Sequence, residues 1–334
     1  MTTLLDRYAD RVARHLRDTA PPVNSMSSLM AAYHMGWVDR DGRPDIARPG
    51  KLVRPSLCLW ACEAMGADAA LALPVASALE WVHNFTLVHD DIQDGDRERR
   101  RRETVWSVWG SSQGINAGDA LHAFAFELLL APGRLTARRL RAGRALARAT
   151  REVVEGQCLD LAQEGRLETG PRRYLRMARA KTGALLGASM ETGALVGGAR
   201  SDVAAALRRA GQLLGQAFQV RDDWLGIWGD PGQTGKSCDG DLGRRKTTFP
   251  VLAAYAVMEQ PERRRFRALF ASRGEAEVPE LRAMLERRGA DCLAAGAAHR
   301  LAGDAVALVR GAGLPQTSTR YFEEFARHVA DRQR

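Results

Sequence analysis

LEWVHNFTLVHDDIQDGDRERRRRETVW, Leu79 to Trp106, is the stretch around which the rest of the chain is read. It opens as an apolar run with helical spacing and meets three carboxylates, Asp90, Asp91 and Asp94. It leaves through Arg97, Arg99, Arg100, Arg101 and Arg102. Carboxylates four apart on a helix share a face, so Asp90 and Asp94 converge on one point. Converging anions gain nothing on an apolar helix unless a cation sits between them. Oxygen ligands suit Mg²⁺, which is commonly held by one or two carboxylates plus substrate phosphates. Acids beside arginines therefore suggest a diphosphate gripped between Mg²⁺ and guanidinium groups. Taken alone, such a motif also reads as a solvated helix end.

A second stretch separates these readings. LLGQAFQVRDDWLGIWGD, residues 213–230, is again an apolar helical run ending in paired acids, Asp222 and Asp223. Two acid pairs about 130 residues apart, each at the polar end of an apolar helix, are expected to face each other across a cavity. About three Mg²⁺ ions and a diphosphate would fit between them.

Working outward, apolar residues recur at three and four, and no segment sustains period-two alternation. The chain reads as all-α. Residues 1–20 form an amphipathic helix stopped at Pro21 and Pro22, and Met26 to Trp37 a second one. The turn-rich VDRDGRPDIARPG leads into GKLVRPSL, where Lys51 and Arg54 stand three apart at a helix start that Pro55 helps begin. Asn116 and Asp119 lie in the next helix start. Gln157 and Asp160 interrupt the apolar pattern of a long Arg-rich helix. Lys181 and Thr182 sit in a helix over 174–198 rich in Ala and Gly, a composition that permits close helix packing or leaves room for a ligand. The loop GQTGKSCDGDLGRRKTTFP carries Lys236, Asp241 and Lys246, and two lysines just past an acid pair suit phosphate capture. From Val251 onward the chain reads as helices without chemistry, with RGEAEVPE an exposed loop and HVADRQR a polar tail.

The 334 residues show no repeat, low-complexity tract or clear boundary, so a single domain over 1–334 is expected. No stretch approaches the roughly 18 uninterrupted apolar residues of a spanning helix. The start has acids mixed into it and no apolar signal core, which predicts a cytoplasmic protein with no membrane span. Five cysteines without paired CxxC spacing read as buried reduced thiols. The net charge of +9 raises nucleic acid as a partner. Arginines spread over many helices with few aromatics interleaved argue against it.

Assembled in order, GKLVRP, His83 with HDDIQD, the arginine pair, GQCLDL, KT, FQVRDD and GKSCDGDLGRRKTTFP resemble a trans-isoprenyl diphosphate synthase of the polyprenyl synthetase family, over nearly the whole chain. The resemblance implies the isoprenoid synthase fold, a helical bundle around a central cavity and usually a homodimer. It also implies a Mg²⁺-dependent head-to-tail condensation of isopentenyl diphosphate with an allylic diphosphate. Asp90, Asp91 and Asp94 match the first acidic motif and Asp222 and Asp223 the second, with Asp90, Asp94 and Asp222 as metal ligands. Lys51, Arg54, His83 and Arg100 match the isopentenyl diphosphate pocket. Arg99, Lys181, Thr182, Gln219, Lys236 and Lys246 match contacts around the allylic substrate, Lys181 and Lys236 among the catalytic cations.

Three positions depart from the family's pattern. Arg101 and Glu103 stand where Gly and Pro are usual, which should change the loop's flexibility. Leu52 removes one cation from the first basic motif. Gly226 stands where a third Asp often sits. In the family, bulky residues upstream of the first acid pair floor the product tunnel. Phe85 lies roughly 7–8 Å along the helix from Asp90 at 1.5 Å per residue. With Thr86 small beside it and Trp81 a turn further up, a C20 product, geranylgeranyl diphosphate, is expected, with farnesyl diphosphate as the alternative. A class I terpene cyclase would have no use for Lys51, Arg54 and His83. A non-catalytic subunit would usually lose acids that this chain keeps.

Overall fold

The computed structural model describes residues 4–45, 50–131, 136–229, 240–272 and 274–332. The helices are α1 Leu4–Asp18, α2 Met26–His34, α3 Val53–Ala64, α4 Leu73–Gln93, α5 Val105–Trp109, α6 Ser111–Leu130, α7 Thr136–Gln163 and α8 Gly170–Ala178. After a π-helical turn at Arg179–Gly183 come α9 Ala184–Gly197, α10 Ser201–Trp228, α11 Gly240–Gly243, α12 Phe249–Val257, α13 Gln260–Ser272, α14 Val278–Arg287, α15 Ala290–Gly311 and α16 Gln316–Asp331. Among the described residues the only sheet is a two-stranded hairpin, β1 Glu98–Arg99 and β2 Arg102–Glu103. The fold is all-α, as expected.

Two compact units divide the chain: residues 1–147 with 189–204, and residues 148–188 with 205–334. In the first, α4 packs against α6, and α3 against α4 and α1. Val75 to Val82 are buried almost without interruption, which is how a helix apolar on all sides must sit. Leu57, Leu59, Leu79, Val82 and Leu121 are fully enclosed, each contributing about 2 kcal/mol of apolar burial. Trp81 is locked edge-on between Trp37 and Phe124. In the second unit one core gathers Ile227, Leu242, Val251, Phe266 and Leu281, and another gathers Tyr174, Val220, Phe249 and Ala298.

Several expectations are corrected. The helix begun at Met26 ends at His34, because Gly36 turns the chain with φ 74°. The segment 174–198 is helical to Gly197 as expected, but a π-helical turn at Arg179–Gly183 interrupts its α-helical spacing. Its small residues serve close packing: a Cβ on Gly215 would fall 2.4 Å from the Gly183 Cα, and one on Gly211 2.7 Å from the Gly187 Cα. HVADR is helical to Asp331 rather than a tail, with Val329 and Ala330 buried. Cys58 and Cys62 are free and buried, but Cys158 and Cys292 are exposed; Cys238 lies outside the described residues. Ala69–Gln93 and Ala290–Gly311 are long and apolar enough, by length and composition alone, to cross a membrane. The first carries His83, Asp90 and Asp91 and is mostly buried within the protein.

Candidate active site

In the first unit, three pieces of sequence meet at the end of α4. The basic motif enters α3 through Leu52, whose φ of 48° and ψ of 35° are left-handed. Leu52 is buried, so the missing cation is replaced by an apolar anchor for this strained corner. Lys51 stays exposed. Arg54, the second residue of α3, is partly buried, and burial lowers its guanidinium to about 10. Arg100 lies against Gly50 so closely that a Cβ there would fall 2.8 Å from its Nη2. His83 is held neutral, first by burial and then by the charges of Arg54, Arg100 and Arg99. Its Nδ1 and the Arg54 Nε are buried without a hydrogen-bond partner.

The acids of α4 divide by direction. Asp91 is 1% exposed, and its Oδ1 accepts a hydrogen bond from the Arg99 Nε at 2.7 Å and pairs with the Arg99 Nη2 at 2.7 Å. Burial raises the Asp91 carboxyl, Arg99 pulls it back, and its Oδ2 is left buried and unpartnered. Asp90 remains partly accessible, and Asp94 caps the helix with its N–H on the Asp90 carbonyl at 2.8 Å. Among the described residues no three His, Cys, Asp or Glu side chains form a ready cage.

The arginine run is the hairpin. Its two turn residues, Arg100 (φ 54°) and Arg101 (φ 64°), are both left-handed, in a two-residue turn that usually prefers Asn-Gly. The turn is pinned from behind. Arg102 donates to the Val38 carbonyl at 2.9 Å and covers Tyr33 at 4.4 Å, while the Tyr33 hydroxyl donates to the Glu103 carbonyl at 2.9 Å. Thr104 and Trp106 both donate to the Asp96 carbonyl. The places of the missing Gly and Pro are thus held by side-chain anchors. The floor candidates lie up the same helix: Phe85 meets His89 and His122 edge-on at 5.0 and 5.1 Å, and the Thr86 hydroxyl donates back to the His83 carbonyl.

In the second unit, α10 presents Gln219, Asp222 and Asp223. Asp223 is 6% exposed and accepts from the Tyr174 hydroxyl, the Phe249 N–H at 2.8 Å and the Gln219 amide at 3.2 Å. Burial lifts its carboxyl to about 7, with Asp241 and Asp222 adding to the rise. Thr182 donates to Gln219 at 2.7 Å, so the π-helical turn carrying Lys181 and Thr182 is tied to this acid. Lys181 itself pairs with Asp160 at 2.6 Å. Asp222 pairs with Arg332 at 2.6 Å, a partner from the supposed tail. Lys246 is half-buried beside Asp241, its N–H on the Asp241 carbonyl at 2.9 Å. A Cβ on Gly226 would fall 1.9 Å from the Asp241 Oδ2, so the Asp241 carboxylate fills the space that a third motif acid would need. Lys236 lies outside the described residues.

Sequence reasoning assigned no site role to Glu80, Asn84 and His34 behind the arginines, nor to Tyr174 and Arg332. Glu80 and Asn84 were legible as polar residues four apart in an apolar helix. Arg332 carried no local signal.

A profile described as Polyprenyl synthetase matches residues 42–318. A (2E,6E)-farnesyl diphosphate synthase from Mycobacterium bovis is 39% identical over 341 aligned positions, covering all of this chain and 90% of that one. A geranylgeranyl diphosphate synthase from Mycobacterium tuberculosis is 48% identical over 229 positions, covering 68% of this chain and 65% of that one. The crystal structure of a polyprenyl synthetase from Streptomyces coelicolor A3(2) superposes with a TM-score of 0.90 at 38% identity, covering 98% of each chain.

Proposed function

This chain belongs to the polyprenyl synthetase family, and on that premise we propose a Mg²⁺-dependent head-to-tail condensation of isopentenyl diphosphate with dimethylallyl, geranyl or farnesyl diphosphate. It is a trans-prenyltransferase with the all-α isoprenoid synthase fold. The observation that carries the reading is the basic cluster of the first unit, where Arg54 and His83 each keep a buried polar atom without a partner and Arg100 adds its charge beside them. In this reading Lys51, Arg54, His83 and Arg100 bind and orient isopentenyl diphosphate. Arg99, Lys181, Thr182, Gln219 and Lys246 surround the allylic diphosphate, with Lys236 from the loop beyond the second acidic motif. Asp90, Asp94 and Asp222 would hold Mg²⁺, with Asp91 and Asp223 buried beside them. Bound Mg²⁺ supplies charge stabilisation to the departing diphosphate. The lysines add to that stabilisation where charge develops, and the apolar wall excludes water from the carbocation.

Phe85, met edge-on by His89 and His122 with Trp81 buried beyond it, supports a floor that stops growth at C20. Geranylgeranyl diphosphate is the product favoured here, with farnesyl diphosphate next. A cytoplasmic homodimer without a membrane span completes the reading. The exposed Ile115 and Leu130 on α6 and Leu140 on α7 offer apolar surface for a second copy.

The test is a product assay with purified protein, Mg²⁺, isopentenyl diphosphate and each allylic diphosphate in turn. A C20 diphosphate as end product, lengthened by Phe85→Ala, supports the proposal. A C15 end product moves the floor nearer to Asp90. A cyclic hydrocarbon formed without isopentenyl diphosphate overturns it.

A further inference from the structure

Behind the cationic pocket runs a line of buried polar groups that the proposed reaction does not use. Glu80 and Asn84, four apart on α4, are 3% and 1% exposed in an otherwise apolar stretch. The Asn84 amide nitrogen donates to the Glu80 carbonyl at 2.8 Å and to its Oε1 at 3.2 Å. Its Oδ1 is therefore the atom that faces the His34 Nε2, 3.0 Å away. An amide oxygen only accepts, so His34 carries its proton on Nε2 and leaves Nδ1 bare. His34 is held neutral by burial and by Arg100 and Arg99, and with those two arginines it lines a cavity behind the hairpin. Every orientation in the line Glu80–Asn84–His34 is thereby determined.

The Glu80 charge acts on both Arg54 and Arg100, and theirs pull its burial-raised carboxyl back down. Yet among the described residues its carboxylate closes no ion pair with either, and the Arg54 Nε stays unpartnered. A buried guanidinium without a compensating anion is costly, whereas one in direct contact with a carboxylate has lost its donors to it. Asn84 holds Glu80 between those extremes.

We propose that Glu80 is a positioning residue: a resident counter-charge, tethered off contact by Asn84 and His34, that balances Arg54 and Arg100 while leaving their donors free for a diphosphate. This rests on the reading of that pocket as the isopentenyl diphosphate site. Releasing the tether and removing the charge then act in opposite directions. In Asn84→Ala the carboxylate is free to swing onto Arg54 and compete with the ligand. In Glu80→Gln no internal anion competes, so the ligand-free protein is less stable and an added anion stabilises it more.

The experiment follows inorganic diphosphate binding by calorimetry and the KM for isopentenyl diphosphate in wild type, N84A, E80Q and the double variant. N84A is expected to weaken diphosphate binding and raise that KM about tenfold, with the KM for the allylic co-substrate unmoved. E80Q is expected to tighten both severalfold while lowering the melting temperature of the ligand-free protein. In the E80Q background the Asn84 substitution should have no further effect on binding. Weakening in both single variants, or no change in either, overturns the proposal, because a merely structural role moves them the same way. Should E80Q not fold, Glu80→Asp replaces it: a shorter carboxylate out of Asn84's reach is expected to weaken binding as N84A does, and unchanged binding overturns the idea. A wild type inactive with isopentenyl diphosphate would bring down the proposed function, while diphosphate binding would still score Glu80.

Discussion

The two acid pairs look alike in sequence and are built differently. In each, the first acid, Asp90 or Asp222, keeps part of its surface, and the second, Asp91 or Asp223, turns inward to 1% and 6% exposure. Asp91 is met by a cation, Arg99, which favours its ionised form against the cost of burial. Asp223 is met by a phenol, a backbone N–H and an amide, all neutral, and its carboxyl rises to about 7. A buried carboxylate can be satisfied in hydrogen bonds without being satisfied in charge. The first pair is therefore an ionic construction and the second a hydrogen-bonded one.

The outer acids should matter to catalysis in both pairs. Asp90→Ala and Asp222→Ala are each expected to lower kcat/KM about a thousandfold, roughly 4 kcal/mol, the first with a melting temperature near wild type and the second with a lower one because Arg332 loses its ion pair. A large loss in only one would break the symmetry of the outer positions. The inner acids should separate in stability. Arg99→Met leaves Asp91 buried without its cation and is expected to cost about 3 kcal/mol in urea denaturation. Tyr174→Phe removes one neutral donor of three and should cost about 1–2 kcal/mol. Equal losses would end the distinction between ionic and neutral support.

The cationic surroundings of the first pair also predict a pH response. His34 falls from an ordinary 6.5 to about 3, chiefly by burial and then by Arg100 and Arg99. The folded state then binds fewer protons than the unfolded one between those values. The stability due to the neutral imidazole is complete above pH 6.5 and is lost as pH falls toward 3. Replacing His34 by Gln is expected to flatten the acid limb by about 3 kcal/mol between pH 6.5 and 4, measured in urea melts. An unchanged limb would mean that His34 is not enclosed among cations. The smallest effect is expected at the hairpin tip. Arg101→Gly relieves a left-handed residue with an exposed side chain and should stabilise by under about 1 kcal/mol.

Much of this site was legible in the chain. Asp90 and Asp94 announced themselves by four-residue spacing, and Lys51, Arg54 and His83 by their order relative to the acids. Other features were not, because they depend on partners distant in sequence. Nothing near Gly226 shows that the Asp241 carboxylate occupies the space beside it, 15 positions along the chain. Nothing in HVADRQR shows that Arg332 reaches back 110 positions to Asp222. The π-helical turn within 174–198 escaped the periodicity because it adds a residue to the turn without changing composition.

The sequence by itself determined the all-α class, the order of the motifs, and which residue types could grip a diphosphate and a divalent cation. Those properties follow from local periodicity and side-chain chemistry, which a linear string carries in full. Only the tertiary structure decided which acid of each pair turns inward, whether its partner is charged or neutral, and that Glu80 lies behind the arginines without touching them. Burial, desolvation and the distance between charges are set by contacts between segments, and those exist only once the chain has folded.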